Sequence, residues 1–206
     1  FDDGRRLFAW GDNELKVASY TPDAGWTAPQ VLSGGTNWIP CLATNGSRAL
    51  LASAQQGAVS TSWWNGSRFS PVISLGSGVP TAVVGCALSS TQGLIAYQSN
   101  GSPLTTQTWL VASSADGGWQ APLLAMSDGG TMQGKIPAAM NAAGAGLVAW
   151  ARLGPNGRTL DTARLTPTGW VVEPETVLVA NQPQSLGVGV DDVGTMVVTW
   201  FDAVGL

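Results

Sequence analysis

A chain with no histidine must do its chemistry with carboxylates, hydroxyls, two thiols and aromatic rings. Imidazole-activated nucleophiles, His-ligated zinc or iron and an imidazole pH switch are excluded at once. Glycoside hydrolysis remains chemically open, because it needs two carboxyl groups flanking the scissile bond. The candidates are Glu14, Asp128, Asp161, Glu173 and Glu175, and no carboxylate falls between Asp23 and Asp116. No spacing isolates a pair, so the segment is expected to be non-catalytic. The alternating Asp loop of a calcium site is absent, and two cysteines alone make a poor zinc site. Neither a metal nor a cofactor is expected.

The cysteines occupy matching places, Ile39-Pro40-Cys41-Leu42-Ala43 and Val84-Gly85-Cys86-Ala87-Leu88, where later copies have Ala138 and Val188. One reading is a position that wants a small buried residue, which free cysteine satisfies. The other is a disulfide between neighbouring strands, Cys41 to Cys86, in an exported protein.

Those matching places belong to a repeat that runs through the chain. Gly25-Trp26 to Pro29, Arg68-Phe69 to Pro71, Gly118-Trp119 to Pro122 and Gly169-Trp170 to Pro174 each lead into an aliphatic pair. A second mark interleaves with it: Gly4, Gly144 and Gly194 precede Trp10, Trp150 and Trp200 by six residues. Leu50–Ser53 and Leu94–Tyr97 are weaker copies. Asn-Gly-Ser at Asn45 and Asn65 supplies hairpin turns. Each repeat reads as four short strands; in the fourth these are Ile136–Asn141, Gly146–Arg152, Leu160–Leu165 and Trp170–Leu178. No helical periodicity competes.

Four-stranded repeats of this length fit an all-β protein, a β-propeller of four-stranded antiparallel blades. The tryptophans then fill the space between blades. Residues 1–206 form a single propeller segment with repeats at about 1–35, 36–79, 80–132, 133–184 and 185–206. That is about four and a half blades, so the ring is expected to be incomplete and the chain an excerpt of a longer one. Within Trp63-Trp64, alternation on a strand should turn one ring inward and the other outward.

Connections from the fourth strand of one blade to the first of the next vary in length and composition, as do those between second and third strands. In a propeller both lie on one face around the channel mouth, where variable loops bind ligands. The ligand-binding candidates there are Asn37, Trp38, Gln133, Lys135, Arg152, Arg158, Asn181 and Gln182. Trp38 is an aromatic without counterpart in the other repeats. It either stacks on a sugar ring or plugs the interface between blades.

The Gly-Trp-x-x-Pro-x-x-Leu mark, followed by Asp-x-x-Gly-x-x-[Val/Leu]-Val-x-Trp, resembles the repeat of secreted bacterial propellers grouped with sialidase-like (BNR-type) proteins. The resemblance covers essentially the whole chain and implies export and a surface or binding role. The Ser-x-Asp-x-Gly-x-Thr-Trp Asp-box of sialidases is absent. A weaker likeness is to fucose-binding lectin propellers, whose inter-blade Arg/Glu/Trp pocket is not assembled residue by residue in this sequence.

The chain has 206 residues, nine basic and thirteen acidic side chains, 27 glycines and ten tryptophans. Its charged fraction of 11% is well under the roughly 25% usual for soluble domains. A net charge of −4 leaves no basic footprint for nucleic acid. No apolar run reaches a membrane span. The resulting expectation is a secreted or cell-surface module that binds a glycan or an extracellular protein. Two alternatives stand beside it: the propeller part of a glycoside hydrolase whose catalytic residues lie outside the segment, and a structural repeat of an extracellular filament or sheath.

Overall fold

Glycines at positive φ and alternating apolar residues between them dictate hairpins, and the chain folds almost wholly into them. The computed structural model describes residues 3–101, 105–114, 118–128, 136–154, 157–179 and 183–202. Among these every regular element is a strand. The first sheet contains β1 (Arg6–Gly11), β2 (Glu14–Thr21), β3 (Gly25–Trp26) and β4 (Gln30–Gly34). Both β3 and β4 pair with β2, on either side of Pro29, whose missing N–H interrupts the ladder. Six strands form the second sheet: β5 (Ile39–Asn45), β6 (Arg48–Trp64), β7 (Ile73–Leu88), β8 (Gly93–Gly101), β9 (Thr105–Ala112) and β10 (Leu123–Asp128). The third contains β11 (Ala138–Met140), β12 (Gly146–Gly154), β13 (Gly157–Thr166) and β14 (Gly169–Val179). The last is the pair β15 (Pro183–Val190) and β16 (Met196–Asp202).

All pairings are antiparallel, and the architecture is a β-propeller whose ring is not closed. The middle sheet has six strands because β6 and β7 each run through two blade positions. The first part of β6, to Ala54, pairs with β5 and the second, from Gln56, with β7; Gly57 at φ 88° lies at the register shift between Gln56 and Ala58. Strands β11 to β14 lie where the fourth repeat placed its four, with β12 and β13 extended toward one another.

A register slip recurs against the outermost strand of each blade. It falls between Leu15 and Lys16, between Val59 and Ser60, opposite Thr108 and Trp109, and between Leu160 and Thr162. Lys16, Ser60, Trp109 and Asp161 therefore occupy one position of the repeat, where a bulge turns the strand. The bulge belongs to the architecture; the side chain placed there differs from blade to blade.

Sheets stack face to face, so both faces of the middle strands are interior. Leu15, Val17, Leu51, Trp64 and Phe69 fill the first interface. Leu50, Val59, Val84, Ile95 and Val111 fill the next, with Trp63 stacked on Trp119 at 5.7 Å. Leu94, Leu110, Val148, Trp150 and Leu165 fill the third. Trp63 and Trp64 do point to opposite faces, but each meets a neighbouring blade and neither turns to solvent. Phe8 and Trp26 on the first sheet, and Trp200 and Phe201 on the last pair, are exposed.

Toward the inside the interfaces narrow. Cys41 of β5 and Cys86 of β7 form a disulfide with Cα atoms 5.9 Å apart, joining adjacent inner strands. At Gly85 a Cβ would lie 1.9 Å from the carbonyl oxygen of Ile136, which leads into the next inner strand. Gly85→Ala should therefore cost about 1–3 kcal/mol by overpacking. Gly34→Ala, whose Cβ would meet nothing within 4 Å, should be near neutral; urea unfolding of both variants checks the contrast. The disulfide spans 45 residues, for which the loop-entropy treatment gives about 4 kcal/mol. Reducing it, or replacing both cysteines with serine, should lower the unfolding midpoint without changing the far-UV spectrum.

Candidate functional site

The third interface changes character toward the end where β12 turns into β13. Its apolar filling stops at Trp150 and polar side chains take over. On β12, Val148, Trp150 and Arg152 share one face, by alternation. Register pairs Trp150 with Asp161 and Arg152 with Thr159. Arg152 Nε donates to Asp161 Oδ2 at 2.6 Å, and Thr159 Oγ1 donates to Asp161 Oδ1 at 3.2 Å. The Asp161 side chain is 1% exposed and that of Arg152 13%. The carboxylate thus fixes the guanidinium through Nε and is itself fixed on both oxygens.

Across the interface the same alternation presents Leu94, Ala96 and Gln98 of β8, with Thr106, Thr108 and Leu110 of β9. Gln98 Nε2 donates to Thr108 Oγ1 at 3.3 Å, while the buried Gln98 Oε1 has no partner among the described residues. A buried carbonyl oxygen without a donor costs about 1–3 kcal/mol. One side of the seam thus carries an oriented cation on a buried carboxylate, and the facing strands carry a buried amide oxygen able to accept another hydrogen bond.

The equivalent positions in other blades are settled internally. Lys16 bonds Glu14 at 3.0 Å and Asp12 at 3.6 Å, and Glu14 beside it raises its pKa. Asp12 is held below the usual carboxylate range, first by the backbone N–H of Glu14. Trp109 Nε1 donates to Ser99 Oγ at 3.0 Å, and its ring stacks on Tyr97, whose phenol is pushed up by burial. Among these places Asp161 alone carries a buried carboxylate.

The loop candidates are not gathered into one site. Trp38 is corrected as a sugar-stacking platform: it is 6% exposed and lies in the first interface with Leu15 and Trp64. Gly11 makes room for it, since a Cβ there would lie 2.4 Å from Trp38 Cβ. Asn37 is exposed at φ 62°, and its backbone N–H donates to Asp12 O at 3.2 Å. This places it beside the β1–β2 turn, on the first sheet, whereas Arg152 lies on the third. Arg158 pairs with Leu153, so its side chain leaves the face opposite that of Arg152. Gln133, Lys135, Asn181 and Gln182 lie outside the described residues. Sequence reasoning named Arg152 without its partner. The signal was there: residues nine apart across a short hairpin return to one face.

Of the other carboxylate candidates, Glu14 and Glu173 do not join Asp161, and the side chains of Asp128 and Glu175 lie outside the described residues. Glu173 accepts from Thr162 Oγ1 at 3.4 Å and pairs with Arg164. Thr162 is the residue next to Asp161, so Glu173 belongs to the other face of the sheet. Glu14 is engaged by Lys16. Among the described residues no group of three or more His, Cys, Asp or Glu side chains could hold a metal ion.

No family model matches the chain, and no curated protein matches it. Solved structures do. SapL1 lectin, in complex with α-methyl fucoside, is 16% identical over 97% of this chain and 69% of its own, with a TM-score of 0.56. The α-L-arabinofuranosidase of Podospora anserina, solved with cellotriose, is 14% identical over 92% and 69%, with a TM-score of 0.50. A Hadza microbial sialidase is 12% identical over 94% of this chain at a TM-score of 0.50, and this chain spans about half of its length, 51%. At such identities the likeness shows the propeller fold alone. It nevertheless corrects the expectation of a non-catalytic segment, because the similar structures include two glycoside hydrolases beside a lectin. The lack of an evident carboxylate pair in the sequence was too narrow a ground for that exclusion.

Removing one member of the seam's ion pair should be far worse than removing both. Asp161→Ala leaves the Arg152 charge largely buried and should cost about 3–5 kcal/mol. The double variant Arg152→Met, Asp161→Leu should recover most of that loss, as read by denaturant unfolding of the two proteins.

Proposed function

We propose that this chain is a carbohydrate-recognising propeller segment of an exported protein, in the company of sialidase-like propellers, and that sugar hydroxyls bind at the seam between β8–β9 and β12–β13. The observation that carries the reading is the buried polar cluster at that seam. Arg152 is oriented by Asp161, and Gln98 Oε1 stands opposite without a donor among the described residues. A sugar ring brings adjacent hydroxyls that both donate and accept, and such a ring would satisfy the amide oxygen while accepting from the guanidinium. Fold likeness to sugar-binding and sugar-cleaving propellers supports the same class of ligand. Export is supported by the Cys41–Cys86 disulfide, a bond that persists in oxidising compartments.

A glycan array read with the full chain tests the proposal. Binding to at least one neutral glycan is expected, and Gln98→Leu should weaken it about 2- to 10-fold, the worth of one neutral hydrogen bond. An array without signal above background, or a Gln98→Leu variant with unchanged affinity, overturns it.

A further inference from the structure

Far from that seam, on the outer rim where the first sheet meets the second, two neighbouring cavities of about 360 and 420 Å³ share Gln30, Arg68 and Phe69 as walls. Both fall within the size range of small-molecule sites. Gln30 builds the rim by acting as a strand. Its Nε2 donates to Phe69 O at 3.1 Å, and its Oε1 accepts from Phe69 N at 3.2 Å. This two-point clamp ties β4 to the turn after β6 and holds the cavities open on either side of Arg68. The turn itself is rigid: Asn65 Oδ1 accepts from the Ser67 and Arg68 backbone N–H groups at 3.1 and 3.0 Å. That leaves the Asn65 amide nitrogen on the wall of the second cavity, while Ser19 and Thr27 line the first.

Arg68 stands on this wall exposed, and its guanidinium has no hydrogen-bond or ion-pair partner among the described residues. The sequence explains why. From Ala24 to Ala115 there is no Asp or Glu at all, and the only charges are Arg48 and Arg68, in a chain of net charge −4. Arg48 is occupied, donating to Ser90 O at 2.6 Å and lying over the Trp63 ring. The other charges near the turn cancel: Arg5 reaches Gly66 O at 3.2 Å and is paired with Asp3 at 2.6 Å. A planar fork without a counter-ion, flanked by hydroxyl and amide groups, matches a carboxylate carried on a polyhydroxylated ring.

We infer that this rim is a second saccharide site, selective for a carboxylate-bearing sugar of the uronic acid class, with Arg68 as the carboxylate receptor and the two cavities holding successive rings. It rests on the carbohydrate reading but uses none of the seam residues. Calorimetric titration of the full chain with trigalacturonate, its methyl ester and neutral maltotriose tests it, alongside Arg68→Gln, Arg68→Lys and Gln98→Leu. Because Arg68 is exposed, its variants should melt with the parent.

The expected result is trigalacturonate binding that falls at least tenfold in Arg68→Gln and for the methyl ester, is partly kept in Arg68→Lys, and is unchanged in Gln98→Leu. Failure of trigalacturonate to bind, equal binding of the ester, or indifference to Arg68→Gln overturns the inference. If neutral glycans still bind and depend on Gln98, the seam reading survives that outcome. If neither acidic nor neutral sugars bind, both readings fall together.

Discussion

Everything in this molecule depends on how closely its inner strands approach. Sheets that radiate from a common centre are wedges, so the gap between neighbours is narrow inside and wide outside. The narrow end admits only a glycine against a carbonyl, as at Gly85 and Ile136, or a pair of cysteines in covalent contact. The wide end demands bulk, which Trp63 on Trp119 and Trp64 on Phe69 provide. Gly85 and the indoles of Trp63 and Trp64 mark the two extremes of that spacing, while glycines at positive φ such as Gly46 and Gly66 serve the hairpin turns.

That wedge was legible in the sequence because it imposes a period. The Gly-to-Trp interval and the Gly-Trp-to-Pro mark recur along the chain, so an all-β fold of antiparallel four-stranded blades could be read before any coordinates. The matching positions of Cys41 and Cys86 were equally plain, though position alone could not decide between packing and a bond. What stayed hidden were relations between blades. Trp38 looked like a loop aromatic because its loop has no counterpart. Its burial comes from Gly11, on another element, which leaves it room. The merging of β6 and β7 across blade positions was hidden too, since the polar Gln55-Gln56-Gly57 interrupts the apolar pattern of a strand that nevertheless runs from Arg48 to Trp64.

The site was half legible. Arg152 stood out as a loop-end cation, while Asp161 stayed one of several scattered carboxylates, although hairpin register brings the two together. The same register separates Arg152 from Arg158, which a face-by-face reading of β12 and β13 would have caught. Gln98 gave no signal, because only an accounting of buried donors and acceptors exposes an amide oxygen without a partner. Charge was informative where it was missing. The long stretch without acidic residues leaves Arg68 a cation without a counter-ion among the described residues of an acidic protein.

The bond between Cys41 and Cys86 also bears on how this array would respond to tension. Pulled through its chain, the molecule cannot pay out the segment between the two cysteines, whose sequence separation is 45. Load bypasses it through the sulfur atoms, so the contact between these two inner strands is covalent where the other interfaces rest on packing and hydrogen bonds. A segment exposed to flow or to a tethered surface would thus lengthen only in the chain outside Cys41 and Cys86, while the residues between the two sulfurs stay unextended.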